Sequence, residues 1–514
     1  MLYQMVRADF FQRTRRLGFL LTLAAALYLA YGIATEKVWI VIGNGYRGVY
    51  NSAWIGALTA ICASTFLSLS GFYIVKDAVQ RDSDTRVGQI LAATPMRKTF
   101  YAVAKTVSNF AVLSAMVAIL MAAAIVIQLL QTEAPDISLW KLWSPFLLIT
   151  LPAMALTAAL ALLFEMLPLL RGGVGNVFYF FAWTAGLAVS VNSGTFEPTG
   201  LQVLFRSMRA ALLKIDPSNQ NTFSLTIGGQ RAIHTFYWGG VEWTVSLIGD
   251  RALWILVAAG IAMLASVFFH RFDPAREWQI KKGRPEPVQD EFIDRTELTR
   301  AAAQHTRLTP IGNALRKGRF GQLLVSELRL MLKGKRWWWY AAAGGMLIGQ
   351  LVSPRETYEG WLVAAWIWPV LMWSHMGARE SRNETASLIF SSYRSAQRQL
   401  PAVWLAGVLA AILTGGGVGS RLGFSANWPG LAAWLVGALF IPTLALAQGV
   451  CFGSGKPFEA MYPVWWYFGP LHQTPGWDFM GTTAASRATG TYLLFTAVLL
   501  LVANVGRRVR MAYA

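Results

Sequence analysis

Residues 81–105 read RDSDTRVGQILAATPMRKTFYAVAK, and residues 379–400 read RESRNETASLIFSSYRSAQRQL. Each stretch opens with a basic–acidic pair, continues into a short apolar run and then carries basic residues. A long apolar segment lies on both sides of each stretch. Because one polar pattern occurs twice between apolar segments, the sequence predicts a duplicated membrane protein in which each half has the same polar connector.

The composition indicates a protein that is mostly embedded in lipid. The chain has 514 residues, of which 55% are hydrophobic and 14% are charged, whereas a soluble protein has about 25% charged residues. Apolar runs of about 20 residues, the length needed to span a bilayer as a helix, recur along the chain. The strands of a membrane barrel would alternate apolar and polar residues instead. The predicted fold class is therefore an all-α polytopic membrane protein.

The apolar runs predict about 12 transmembrane helices, arranged as two parallel six-helix repeats. The expected spans are 17–34, 51–75, 103–130, 143–164, 174–193 and 252–269 in the first half, and 337–353, 360–376, 402–418, 429–452, 459–471 and 490–506 in the second. Each half is expected to begin with an amphipathic helix on the membrane surface. The predicted organisation is thus a first half at 1–269, a cytoplasmic linker at 270–320 and a second half at 321–514.

The distribution of basic residues predicts the orientation. Most of the 45 Lys and Arg residues fall in segments that lie on one side of this layout, and basic residues mark the cytoplasmic side. Both termini are therefore expected to be cytoplasmic. The net charge of +19 follows from this topology, and we do not expect nucleic acid as a partner.

The sequence contains no motif that indicates a nucleotide-binding, metal-binding or catalytic site on this chain. The string nearest to a phosphate loop, GSGKP at 453–457, lacks the first glycine and has Pro where Ser or Thr binds magnesium. The five histidines are scattered, and Cys62 and Cys451 lie in apolar spans, so no metal site is expected. We expect no catalytic residues. Glu165 and Glu459 are expected near the inner ends of spans, where they can reach water.

The connectors offer a surface for a partner. In the first connector Val87, Ile90 and Leu91 recur at helical spacing, which predicts a short amphipathic helix parallel to the membrane. Such a helix presents an apolar knob with charged flanks, which suits docking into a cleft on a soluble protein. The alternative is that both connectors are solvated loops whose charges only fix the topology.

The first connector resembles the signature region of ABC-type-2 permeases, the membrane subunits of many ATP-binding-cassette exporters. In these permeases an acidic, Gly-containing stretch leads into an apolar segment ending in Ala-Thr-Pro, followed by basic residues and the next span. The second connector resembles this signature less closely, because it lacks the Gly and the Thr-Pro. The phrases RFDPAR, PFEAMYPVWWYFGP and WDFMG, in their order along the chain, also resemble this group.

The resemblance implies that the two connectors are coupling helices for a separate cytoplasmic ATPase, two copies for each chain. ATP and magnesium would bind to that partner, and no cofactor would bind to this chain. The implied location is the plasma (inner) membrane of a prokaryote. The implied coupling residues are Asp82, Arg86, Glu380 and Arg382 for polar contacts, and Ile90, Leu91, Leu388 and Ile389 for the apolar knobs.

The resemblance also implies a substrate pathway between the halves, near spans two and five. The aromatic residues expected to line it are Trp54, Phe66, Phe178, Phe181 and Trp183, which favour an amphipathic, peptide or lipid-like substrate. Two other functions stay open at this point. A secondary, ion-coupled carrier is favoured by parallel repeats but disfavoured by the lack of acids in the middle of the spans. A membrane scaffold or sensor that transports nothing is the other.

Overall fold

The apolar runs of the sequence fold as α-helices in the computed structural model. Helices satisfy their own backbone N–H and C=O groups, which lipid cannot do. The structure describes residues 2–43, 45–130, 133, 136–192, 197–217, 223–227, 234–269, 272, 319–354, 357–391, 395–481 and 488–513.

The chain divides into two compact units, Met1–Glu277 and Trp278–Ala514. The division falls inside the predicted linker 270–320, which lies outside the described residues except for 272, 319 and 320. The helices of the first unit are α1 (Leu2–Thr14), α2 (Leu17–Ala34), α3 (Ser52–Val75), α4 (Ala78–Asp84), α5 (Val87–Ala93), α6 (Lys98–Leu130), α7 (Leu139–Pro145), α8 (Leu151–Met166), α9 (Gly173–Asn192), α10 (Leu201–Leu213) and α11 (Val245–Val267).

The second unit is also helical where the structure describes it. Its helices are α12 (Arg319–Leu332), α13 (Trp337–Val352), α14 (Tyr358–Ile367), α15 (Val370–Trp373), α16 (Arg379–Arg382), α17 (Ala386–Phe390), α18 (Ser395–Phe424), α19 (Trp428–Phe452), α20 (Lys456–Trp466) and α21 (Thr489–Tyr513). The connector between the second and third predicted spans of each half thus consists of two short helices, α4 and α5 in the first unit and α16 and α17 in the second.

Within the described ranges, eight helical segments are long and apolar enough to cross a membrane, and a ninth is reached if α1 and α2, bent by 70°, count as one broken span. The chain is therefore a helical, multi-spanning membrane protein. The predicted count of twelve is not reached by this measure, because α13 has 16 residues and α14 has 10. α20 has 11 and continues into a π-helical turn at Tyr467–Leu471.

Prolines mark two irregular places in the helices. Pro369 separates α14 from α15, whereas Pro145 lies inside one helical segment of 28 residues, Leu139–Met166, that passes through a π-helical turn at Phe146–Thr150. Proline has no N–H to donate, and its ring clashes with the preceding turn. The apolar run at 360–376 therefore becomes two shorter helices, whereas the run at 143–164 stays within one helical segment.

A small sheet, which the all-α prediction omitted, lies in the first unit. Its strands are β1 (Val38–Ile42), β2 (Tyr46–Gly48), β3 (Phe223–Ile227) and β4 (His234–Phe236), in the order β3-β1-β2-β4. β1 is antiparallel to both β2 and β3, and β2 is parallel to β4. The Arg47 guanidinium binds both carboxylate oxygens of Glu133, at 3.0 and 2.6 Å, and ties the sheet to the segment after α6. The strands have three to five residues, too short for a clear alternating pattern.

Candidate functional site

Both connectors use left-handed backbone before their short helices. In the first connector Asp77 (φ 74°) precedes α4, and Arg86 (φ 59°) precedes α5. In the second, Gly377 (φ 72°) lies two residues before α16, and Glu384 (φ 54°) lies two residues before α17. Positive φ is uncommon outside glycine. The shared pattern indicates that the two connectors turn in the same way.

Five buried side chains, the first polar cluster, attach the first connector to the rest of its unit: Asp9, Arg81, Asp82, Tyr101 and Lys105. Arg81 Nη2 lies 3.1 Å from Asp9 Oδ1. Lys105 Nζ lies 2.8 Å from Asp9 Oδ2 and 2.7 Å from Asp82 Oδ2. Tyr101 donates its hydroxyl to Asp82 Oδ2 at 2.7 Å. One lysine on α6 therefore bridges two carboxylates, one on α1 and one on α4.

A buried carboxylate holds the start of α4. Glu165 on α8 accepts hydrogen bonds from the backbone N–H groups of Val79 and Gln80, both at 2.6 Å. Those N–H groups have no carbonyl partner inside the helix, and a carboxylate at a helix N-terminus is favoured by the helix dipole. The sequence-based expectation that Glu165 and Glu459 reach water is wrong, because Glu165 is buried while it caps α4 and Glu459 on α20 is buried as well. Beside it, Arg13 on α1 donates a hydrogen bond to Asn109 on α6.

Apolar packing surrounds these charges. Tyr101 stacks on Phe269 near the end of α11, with ring centroids 4.6 Å apart. Val79, Leu162 and Met166 complete the buried apolar cluster around this pair. The low polarity of these neighbours strengthens the ion pairs and makes any unpaired charge costly. The connector is thus fixed to α1, α6, α8 and α11 at the same end of the unit.

The second polar cluster consists of Glu327, Arg379, Glu380, Gln399 and Arg507. Arg379 Nη1 on α16 lies 2.8 Å from Glu327 Oε2 on α12. Arg507 Nη2 on α21 lies 3.0 Å from Glu380 Oε1, which also accepts a hydrogen bond from Gln399 at 3.1 Å. In each unit, therefore, the connector arginine pairs with an acid of the first described helix, α1 or α12, and the connector acid pairs with a base of a long apolar helix.

The last helix of the second unit contacts both short connector helices. The Arg507 guanidinium lies 4.3 Å from the ring centroid of Phe390 on α17. Arg510 donates a hydrogen bond to Ser381 Oγ on α16 at 2.8 Å. A displacement of this connector would therefore act directly on α21.

Burial raises the pKa of the Glu327 carboxyl above its ordinary value. The nearby charge of Arg379 acts in the opposite direction, and the charge of Glu380 raises this pKa further. Two carboxylates close together in a poorly solvated place cannot both be ionised without cost.

The predicted apolar knobs lie at the surface. Ile90 on α5 is 69% exposed and Leu388 on α17 is 74% exposed, while Leu91 and Ile389 are half-buried. Arg86 and Arg382, beside these knobs, are exposed. Ile90, Leu388, Arg86 and Arg382 are therefore open to solvent, whereas Leu91 packs against the apolar cluster around Tyr101.

Asp82 and Glu380 do not lie at the surface. They are 6% and 5% exposed, respectively. Their expected role as polar contacts for a partner is corrected by this burial, because their carboxylates are occupied by Lys105 and Arg507 inside the protein. Asp82 and Glu380 instead hold the connectors in position within the protein.

The predicted pathway aromatics occupy different environments. Trp54 is buried at the start of α3, where its ring meets Phe236 and Trp238 edge-on at 5.8 and 6.2 Å. It packs the core beneath the sheet and does not line an open passage.

The other four predicted aromatics lie on α3 and α9. Trp183 donates its indole N–H to Ser68 Oγ at 2.8 Å, which joins α9 to α3. Phe178 and Phe181 on α9 are exposed, and Phe66 on α3 is half-buried. These four side chains therefore lie on the outer surface or at the contact between α3 and α9.

Sequence reasoning missed the bases and hydrogen-bond donors that complete the polar clusters: Tyr101, Lys105, Gln399 and Arg507. Lys105 and Arg507 had a usable signal, since each is a cation in or at the end of a long apolar run, where charge is rare and paired. Tyr101 and Gln399 had none, because uncharged polar residues are common in such runs.

Among the described residues, no group of three or more His, Cys, Asp or Glu side chains could hold a metal ion. A scan against protein-family models finds no match for this chain, and searches of the curated proteins and of the solved structures find none either.

Proposed function

We propose that this chain is the membrane-spanning permease subunit of an ATP-driven transporter, and that α5 and α17 dock onto a separate cytoplasmic ATPase. The observation that carries the proposal is the combination found in both connectors. Each presents an exposed apolar side chain, Ile90 or Leu388, on a short helix next to a buried ion-pair cluster.

This combination supports coupling for a physical reason. A docked partner can transmit force only through a rigid attachment, and buried, hydrogen-bonded ion pairs are costly to separate. Asp82 and Glu380 join the connectors to α6 and α21. A movement of the ATPase would therefore be transmitted to the spanning helices. The permease would switch between two conformations because these conformations differ in their affinity for the closed ATPase pair.

The proposal includes two halves of six spans each, parallel to one another, with both termini in the cytoplasm of a prokaryotic cell. The repeated left-handed turns before the connector helices and the repeated pairing of connector arginine with an acid of α1 or α12 support this duplication. In the proposal, α13, α14 and α20 are short or broken spans.

The test is co-purification of a cassette ATPase from native membranes in mild detergent, identified by mass spectrometry. The ATPase should accompany the wild type and should be lost with Ile90→Asp combined with Leu388→Asp. The matched control is Leu169→Asp, since Leu169 is equally exposed, at 72%, in the loop between α8 and α9. Absence of any ATPase from the wild type, or its retention by the double variant, would overturn the proposal.

A secondary carrier is the second candidate, favoured by the buried ionisable groups of the first unit. Within the described residues, Glu165 Oε2 and Arg13 Nη2 are buried without a hydrogen-bond partner, and such groups mark ion pathways in many membrane proteins. Transport assays in reconstituted vesicles distinguish the carrier from the ATP-driven permease. Transport by the purified chain under a proton gradient, with no ATPase present, would favour the carrier.

A further inference from the structure

A large groove lies in the first unit, at the end of α11 opposite the polar cluster. The start of α11, one face of α10 and the segment 238–242 enclose about 1230 Å³. The far end of α11 packs at Ala265 against the apolar cluster around Tyr101, so the groove and the first polar cluster lie at opposite ends of this helix. None of the connector residues lines the groove.

One wall of the groove is apolar and continues onto a surface suited to lipid. Leu253, Trp254 and Val257 line the groove from α11. Leu253 is 56% exposed, and its neighbour Leu256 on the outer face of the same helix is 68% exposed. An exposed apolar face on a spanning helix faces acyl chains. An apolar tail can therefore pass from the bilayer into the groove without crossing water.

The rim of the groove has charges of both signs. Arg251 lies 3.6 Å from the Glu197 carboxylate, so these two charges compensate one another. Lys141, Lys214 and Glu242 also line the groove and are exposed. Among the described residues no side-chain hydrogen bond or ion pair engages these three. They remain available to a ligand that carries both a negative and a positive group.

We propose that this groove binds a phospholipid with a zwitterionic headgroup that bears a primary ammonium, as in phosphatidylethanolamine. Lys141 and Lys214 would contact the phosphate, since lysine ammonium groups bind phosphate as point charges. Glu242 would accept hydrogen bonds from the headgroup ammonium, and the acyl chains would lie along Leu253 and Val257. The mixed rim disfavours an anionic headgroup without an ammonium, which would leave Glu242 facing negative charge.

Photocrosslinking tests the site on the full chain. The protein is reconstituted in nanodiscs of phosphatidylglycerol that contain a small fraction of phosphatidylethanolamine with a diazirine in one acyl chain, and the crosslinked peptides are mapped by mass spectrometry. We expect crosslinks concentrated at residues 253–257 of α11. A matched diazirine-labelled phosphatidylglycerol probe should label that segment about tenfold less, the effect of losing one charge-assisted contact.

Two variants and one control complete the experiment. Ala210→Trp fills the groove from an exposed position of α10 and should abolish the crosslinks at 253–257, whereas Ala259→Trp, on the exposed face of α11 outside the groove lining, should leave them unchanged. Lys214→Glu should reduce them about tenfold by removing the phosphate contact and adding a repulsive charge. Each variant is accepted only if its melting temperature matches the wild type.

Uniform labelling around α11, wild-type labelling of Ala210→Trp, or equal labelling by the two probes would each overturn the assignment. The site does not depend on whether an ATPase drives the chain, because no residue of the groove belongs to a connector.

Discussion

In the first unit one lysine, Lys105, bridges two carboxylates, Asp9 and Asp82, whereas in the second unit Glu327 and Glu380 each face a separate arginine. The base that pairs with the connector acid also lies on a different kind of helix in each unit. Lys105 lies on the helix that directly follows its connector, while Arg507 lies on the last helix of the chain. The comparison shows that two connectors of similar form are held by different residues from different helices.

The difference has an energetic consequence. In the first polar cluster the charges depend on one another, since removal of the shared cation leaves Asp9 with Arg81 and Asp82 with the Tyr101 hydroxyl as their remaining partners among the described side chains. In the second, removal of one base leaves the other ion pair intact, and Gln399 still donates to Glu380. The first connector should therefore be the more sensitive of the two to a single substitution.

Lys105→Met should have the largest effect. Loss of one partner from a buried ion pair costs about 3–5 kcal/mol of unfolding free energy, and here two carboxylates lose the same partner. The measurement is reversible unfolding in mixed micelles. Lys98→Met, at the less buried start of the same helix, is the control and should change little. If both variants lose the same amount, Lys105 does not bridge the cluster.

Arg507→Met should cost less, about 3 kcal/mol at most, because Glu380 keeps the hydrogen bond from Gln399. Glu380→Gln combined with Arg507→Met should recover much of the loss, since the double change leaves no unpaired charge. A double-mutant cycle on the unfolding free energy measures this coupling. Additive losses from the two single changes would contradict the contact.

Tyr101→Phe isolates the hydroxyl donor of the first polar cluster, which has no counterpart among the described members of the second. It removes one hydrogen bond to the Asp82 carboxylate and keeps the ring stacked on Phe269, so the expected loss is about 1.5 kcal/mol, the low end for a hydrogen bond to a charged group. Tyr340→Phe, which removes an exposed hydroxyl hydrogen bond, is the matched control. Equal stability of Tyr101→Phe and wild type would refute a structural role for the hydroxyl.

The smallest expected effect is on pH dependence and concerns Glu327. Because burial raises its pKa in the folded state, the folded protein binds this proton more tightly than the unfolded chain does. The resulting stability is fully present below the ordinary glutamate pKa of about 4.3 and is lost as pH rises through the raised value. Glu327→Gln should therefore flatten the fall of melting temperature with rising pH in that window. A steeper fall would show that the pair with Arg379 dominates instead.

The positions of the connectors follow from the sequence because each is a densely charged stretch between two apolar runs. The exposure of Ile90 follows as well, from its helical spacing within a polar segment. The role of Asp82 does not, because its residue type and its neighbours in the chain are the same whether it faces water or Lys105. Likewise VWIVI at 38–42 is as apolar as a piece of a spanning helix, and only pairing with residues 223–227 makes it a strand.

The sequence by itself determines that this is a helical membrane protein, because runs of apolar residues of that length have no other place to fold. It also determines where the two connectors begin and that each presents an apolar side chain. The tertiary structure alone decides which charges are buried. The partners that neutralise them come from far along the chain, 72 residues away for Arg81 and Asp9 and 127 residues away for Arg507 and Glu380. A charge is stable in the interior only when such a partner reaches it, and that distance is closed by the packing of helices, which local sequence does not encode.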